Sequence, residues 1–197
     1  MTRMLWLLSM ALAAVVAGTA SAIYATQTLR PTGMLTIGVW EAVRAVGDAS
    51  ADPYAHAFLA SSGQLPPGSA EGMRFVALGS QTNQLLVPNC AVELTGRVDV
   101  ARLWTLTVTQ ANGAPLAERD ARQTAVHSRD LVYQADGSFS LSIGPQPTAP
   151  NALLVRSGLP VAVVIHVYDG AITSLPDSGE AALPFVTVGT DGAGCPA

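Results

Sequence analysis

Three histidines, His56, His127 and His166, are the side chains here whose ordinary pKa lies near neutrality, so any general base or imidazole metal ligand would come from them. Their spacing selects neither role. No HxH pair and no HExxH motif is present, and a zinc or copper site would have to be assembled from distant strands. His166 alternates with Ala162, Val164 and Tyr168, the pattern of a histidine on a sheet face. His56 stands beside Tyr54 on a short helix, and His127 opens the polar run His127-Ser128-Arg129-Asp130. Arg102 and Trp104 share one face of a strand. There a guanidinium can stack on an indole, meet a carboxylate at a ligand edge, or lie as a lid over a core tryptophan. Arg102, Trp104 and His166 are therefore the candidate ligand-binding residues, with no catalytic set, no metal set and no cofactor implied.

Whole mechanisms are excluded by composition. All ten cations are arginine, and without lysine there is no Schiff base, no P-loop and no Ser-Lys hydrolase. No G-x-S-x-G elbow exists, and Ser61-Ser62-Gly63 and Ser69 sit in turn-like sequence. Acids such as Glu118, Asp120, Asp177 and Glu180 are scattered through loops rather than paired. A net charge of −4 with no cationic cluster argues against nucleic acid as a partner.

The elements that would hold these residues begin with an uncharged apolar run from Met4 to Ala25, bracketed by Arg3 and Arg30. As a helix it reaches roughly 33 Å, the thickness of a bilayer core. Two readings stand. One is a membrane anchor, favoured because the run continues to Tyr24, a residue suited to the interface. The other is a cleaved secretory signal, for which Ala20-Ser21-Ala22 is a small-x-small site. In both, Arg3 stays inside and the remainder is exported: a single-pass inner-membrane protein with its C-terminal domain in the periplasm, or a periplasmic or secreted protein after cleavage. Cys90 and Cys195 suit an oxidising compartment as a disulfide, with two free thiols as the alternative.

Apolar residues at Leu35, Val39, Val43 and Val46 predict a helix stopped by Gly47, and Asp52-Pro53 predicts the start of a second, with Tyr54 and Phe58 on one face. From Met73 the period changes to two. Strands are predicted at 74–78, 90–94, 103–109, 130–134, 138–143, 161–168 (central) and 183–188 (near an edge, because of Pro184). Asn112-Gly113 and Asp136-Gly137 are turn signals. The fold class is mainly β, an antiparallel sandwich or jelly-roll-like domain, with an N-terminal transmembrane helix and one or two short helices before the strands.

Gly38-Val39-Trp40, Asp52-Pro53-Tyr54-Ala55-His56-Ala57, Glu71-Gly72-Met73-Arg74-Phe75, Cys90, Gly96 and Arg102-Leu103-Trp104-Thr105-Leu106-Thr107 follow one another in order. So do Asp136-Gly137-Ser138, Asn151-Ala152-Leu153 and Val167-Tyr168. In this order they resemble the bacterial family called domain of unknown function 1214. The resemblance implies short envelope proteins with a membrane helix and a β-rich domain, often encoded or fused with a companion, domain of unknown function 1254. It departs at Ala152, where the family has tryptophan. The resulting division is 1–30 anchor or signal, 31–70 helical lead-in and 71–197 β-rich domain. Two function classes follow: a non-catalytic binding or structural module that engages the bilayer and a partner such as the companion protein, or an envelope carbohydrate or small-molecule enzyme. A pocket joining His166, Glu93 or Asp130 with Arg102 would favour the enzyme.

Overall fold

The computed structural model describes residues 2–28, 33–43, 49–62, 68, 71–88, 91–98, 101–117, 123–147, 149–156, 158–170 and 183–189. Helix α1 (Thr2–Thr28) contains the apolar run, and from Arg3 to Ala25 none of its side chains is buried. Two of its hydroxyls are satisfied within the helix. Ser9 donates to the Trp6 carbonyl at 2.8 Å and Thr19 to the Val15 carbonyl at 2.8 Å, so the run presents little unsatisfied polarity to an apolar surround.

The helix predicted over Leu35–Val46 is instead a β-hairpin. Strand β1 (Met34–Ile37) pairs antiparallel with β2 (Trp40–Val43), with Leu35 opposite Ala42 and Ile37 opposite Trp40. The reason is Gly38. At φ +60° it is the first residue of a two-residue turn that an L side chain disfavours, and it reverses the chain before a helical turn can close. Thr36, Ile37, Val39 and Val43 are β-branched and suit strands, and Leu35 is buried together with Trp40 and Ala42, while Val39 and Val43 of the predicted helical stripe are only half-buried. The second prediction holds: α2 (Pro53–Ser62) is capped by Asp52, whose Oδ1 accepts from the Tyr54 N–H at 2.9 Å and the Ala55 N–H at 3.1 Å. Tyr54 is exposed on it, and the Phe58 side chain lies outside the described residues.

Among the described residues eight further strands follow: β3 (Gly72–Ala77), β4 (Val92–Gly96), β5 (Ala101–Gln110), β6 (Ala125–His127), β7 (Phe139–Gly144), β8 (Asn151–Leu154), β9 (Val161–Gly170) and β10 (Phe185–Val188). They form a six-stranded sheet, β1-β2-β3-β9-β5-β6, and a four-stranded sheet, β10-β4-β7-β8. The apolar run of β9 is central and Pro184 precedes an edge strand, as the sequence implies. The pairing of β7 with β8 is parallel, which departs from a purely antiparallel reading.

The inward residues of the two sheets form one core. Phe75, Leu106 and Ile165 come from the larger sheet and Leu94, Leu141 and Ile143 from the smaller, all with at most 1% exposure. Trp104 crosses the interior to Phe139, with ring centroids 5.2 Å apart, and Trp40 Nε1 donates to the Pro184 carbonyl at 2.8 Å, fastening β2 to the approach to β10.

Residues 130–134, predicted as a strand, are not one. The Asp136-Gly137 turn forms as expected, with Gly137 N–H donating to the Gln134 carbonyl and Gln134 N–H to the Ser138 carbonyl. The incoming segment is held by one side chain instead of a ladder. Asn151 Oδ1 accepts from the Val132 N–H at 2.8 Å, while its Nδ2 donates to the Val132 carbonyl at 3.0 Å and the Ser140 carbonyl at 2.8 Å. An amide that satisfies three backbone groups substitutes for a strand partner.

Candidate functional site

Alternation along β5 sends Trp104, Leu106 and Val108 inward and Leu103, Thr105 and Thr107 outward. Trp104 is therefore a core residue, 3% exposed. Arg102 is neither stacked as a lid nor buried: its side chain is 83% exposed and reaches Asp169, Nε to Oδ2 at 3.6 Å. An exposed pair of this kind contributes little to stability.

His166 does lie on a sheet face, the outer one of the six-stranded sheet, in a row that runs straight across four strands. Arg74 on β3 faces His166 on β9, which faces Thr105 on β5, which faces His127 on β6. The His166 and Tyr168 rings stack, centroids 6.3 Å apart and planes 17° from parallel. Burial, and then the Arg74 guanidinium, lower the proton affinity of His166 below its ordinary value. Neutral imidazole is thus the resting form at neutral pH. Burial likewise pulls Arg74 below its ordinary value.

His127 ends the row but has no free nitrogen. Nε2 lies 2.8 Å from Asp130 Oδ2, and Nδ1 accepts from the Arg129 N–H at 3.3 Å. The two contacts make the residue a turn lock. Tyr133 secures the same turn, donating to the Ser128 carbonyl at 2.6 Å. Glu93 lies on β4 in the other sheet from His166, and Asp130 pairs with His127. Cys90, Cys195 and the loop acids Glu118, Asp120, Asp177 and Glu180 lie outside the described residues.

A cleft of about 510 Å³ opens elsewhere, where the β1–β2 turn meets the approach to β10. Ile37, Trp40, Leu183 and Phe185 supply its apolar wall; Gln81, Arg97, Asp136 and Ser138 supply its polar groups. Arg97 Nη1 donates to the Asp136 carbonyl at 3.2 Å. The Asp136 carboxylate accepts from the Ser138 hydroxyl at 2.7 Å and the Ser138 N–H at 3.0 Å. Those two bonds, with a smaller contribution from Arg97, hold it below the usual carboxylate range, so it is charged at neutral pH. Phe185 is 62% exposed at the rim. An apolar wall with a few convergent polar groups is the general form of a binding site. Sequence reasoning quoted Gly38-Val39-Trp40, Gly96 and Asp136-Gly137-Ser138 as motifs without joining them, yet all three segments line this cleft.

Fold and cleft together define a two-sheet β-sandwich with a polar-rimmed groove at one end, carried behind an apolar N-terminal helix. The family model described as "Protein of unknown function (DUF1214)" matches residues 71–171, and the chain belongs to that family. Cleft residues from the β1–β2 turn and the approach to β10 lie outside the matched stretch. No curated protein matches the chain. Among solved structures, the VPA0106 protein from Vibrio parahaemolyticus is similar in fold, with TM-score 0.58 and 17% identity over 92% of this chain and 45% of its own. A putative uncharacterized protein from Burkholderia cenocepacia aligns over 64% of this chain and 31% of its own at 14% identity, with a TM-score of 0.41, too low to carry an argument. The chain thus spans less than half the length of these two proteins.

Proposed function

We propose that the chain is a membrane-tethered binding module of the bacterial envelope, with its sandwich on the outer side of the inner membrane and a partner received at the Trp40–Phe185 cleft. The observation that carries this is α1: from Arg3 to Ala25 it has a mean hydropathy of 1.9 and no buried side chain, so the sandwich offers it no core to join. A bilayer does. Arg3 at its start favours retention of that end in the cytoplasm. A disulfide between Cys90 and Cys195 belongs to the same reading. Gly189 N–H donates to the Ala91 carbonyl at 2.8 Å, so the chain leaves β10 beside the neighbour of Cys90.

For the partner, the companion family is the leading candidate. Nearly all of this chain aligns with under half of the Vibrio protein, which leaves that protein room for a second unit. Membranes from cells making the full chain, washed at alkaline pH, should retain it at full length, with the sandwich open to protease only from the periplasmic side. Release at a shorter, mature size would refute the tether. Gentle solubilisation should co-purify a partner from wild type and lose it from Phe185→Asp. Equal recovery from both would remove the cleft from the reading.

A further inference from the structure

Among the described residues Arg74 combines partial burial with the lack of any ion-pair or hydrogen-bond partner. A guanidinium stays charged and carries five donors, so one that is partly dehydrated and unpaired is costly unless an acceptor arrives. The nearby acids are engaged or displaced. Asp130 holds His127 and Asp169 meets Arg102; Glu41 sits one row further on, beside Val76, with a partner of its own, and Glu71 precedes β3.

The same face carries neutral donors in register with Arg74. His166 faces it across the ladder, Thr105 lies beyond His166, and Tyr168 stacks on the imidazole. Opposite Tyr168 stands Gly72, where the Val167 carbonyl closes the backbone surface. We propose that Arg74, flanked by His166, Tyr168 and Thr105, is a binding site for a phosphate group. The guanidinium fork matches two oxyanion oxygens, while imidazole N–H and the two hydroxyls can donate to the rest.

Phosphate is preferred to other oxyanions because of where the site lies, and that preference rests on the tethered reading, although the site itself does not. Five residues separate Thr28 from Met34, a reach of at most about 20 Å. Met34 pairs with Val43, the end of the hairpin nearest Arg74, because Ala42 pairs with Phe75. A spanning α1 therefore delivers this end of the sheet to the headgroup layer, where phosphates are concentrated.

The test follows the three histidines by NMR in the full-length chain, with His166→Gln to assign the signal. One arm adds inorganic phosphate to protein in a nonionic detergent. The other compares nanodiscs of phosphatidylcholine alone with nanodiscs containing phosphatidylglycerol. Bound phosphate should raise the His166 pKa by roughly one unit and leave His127 unmoved, and in Arg74→Gln the His166 shift should vanish. A response to inorganic phosphate alone assigns a free phosphate ester, a response to phosphatidylglycerol alone assigns a lipid headgroup, and both uphold the site. No shift in either arm, or the same shift in Arg74→Gln, overturns it. Should that variant fail to fold, Arg74→Lys keeps the charge without the fork and should bind several-fold more weakly; an undiminished response would overturn the proposal equally.

Discussion

Asn151 is the side chain on which the 130–134 segment most depends, and its replacement gives a sharp test of how that segment is held. In Asn151→Ala three backbone groups lose a partner. The Val132 N–H and carbonyl belong to a residue 62% exposed and can recruit water, so each loss costs about 1 kcal/mol; the Ser140 carbonyl, in a strand, costs about 1–2 kcal/mol. The sum is about 3–4 kcal/mol, or a fall in Tm of about 6–16 °C for a chain of this size.

Asn151→Asp separates geometry from simple loss of contact. The carboxylate still accepts from the Val132 N–H, but its second oxygen faces two carbonyls that previously met a donor at 3.0 and 2.8 Å. Repulsion raises the folded-state pKa of the new acid above its unfolded value of about 3.9. Its stability is then greatest below the unfolded pKa and is lost as pH rises through the folded one. At pH 7 Asn151→Asp should be less stable than Asn151→Ala, and by pH 4 the gap should close as the protonated acid regains a donor. Urea unfolding of the full chain in nonionic detergent, read by circular dichroism at both pH values, measures this. An aspartate variant as stable as alanine at pH 7, or a gap that ignores pH, would refute the three-bond account.

Trp40→Phe leaves the buried Pro184 carbonyl without its donor and should cost about 1–3 kcal/mol in the same assay; a loss under about 0.5 kcal/mol would mean that water already serves that carbonyl. Gly72→Ala places a Cβ 2.2 Å from the Val167 carbonyl oxygen, so β3 and β9 must separate and Tm should drop by at least as much as for Asn151→Ala; an unchanged Tm would contradict the close approach. His166 has a depressed folded pKa, so as pH falls from about 6.5 the unfolded chain takes up a proton the folded one refuses and stability declines. His166→Gln should flatten the urea midpoint between pH 7.5 and 5.5, and equal slopes would count against it. Thiol titration of the denatured, unreduced protein should find no free thiol at Cys90 or Cys195, and two would dismiss the pair.

Local patterns were legible wherever one face of an element decides its burial. The alternation in β5, the apolar run of β9, the Asp52-Pro53 cap and the Asp136-Gly137 turn each state their structure within ten residues. The β1–β2 hairpin was missed because Leu35, Val39 and Val43 satisfy a helical spacing that the turn at Gly38 overrides. The 130–134 segment was misread because its partner is an amide 19 residues away rather than a strand. The cleft could not be read at all: its walls come from the turn after β1, the loop at Gln81, the end of β4, the Asp136 turn and the approach to β10, and only the folded topology unites them.

That topology also orders the two surfaces relative to the tether. The chain arrives from α1 at Met34, passes Arg74's end of the sheet first, and reaches the cleft only where β1 turns at Ile37 and Gly38, about 10 Å further along. The oxyanion row is thus the surface a spanning helix would press toward the headgroups, and the cleft is the one it would hold away from them. A partner docked at Phe185 and a phosphate at Arg74 would therefore occupy opposite ends of the hairpin without competing. The two tests are independent for the same reason: Phe185→Asp should abolish co-purification while leaving the His166 response to phosphate intact, and Arg74→Gln should do the reverse.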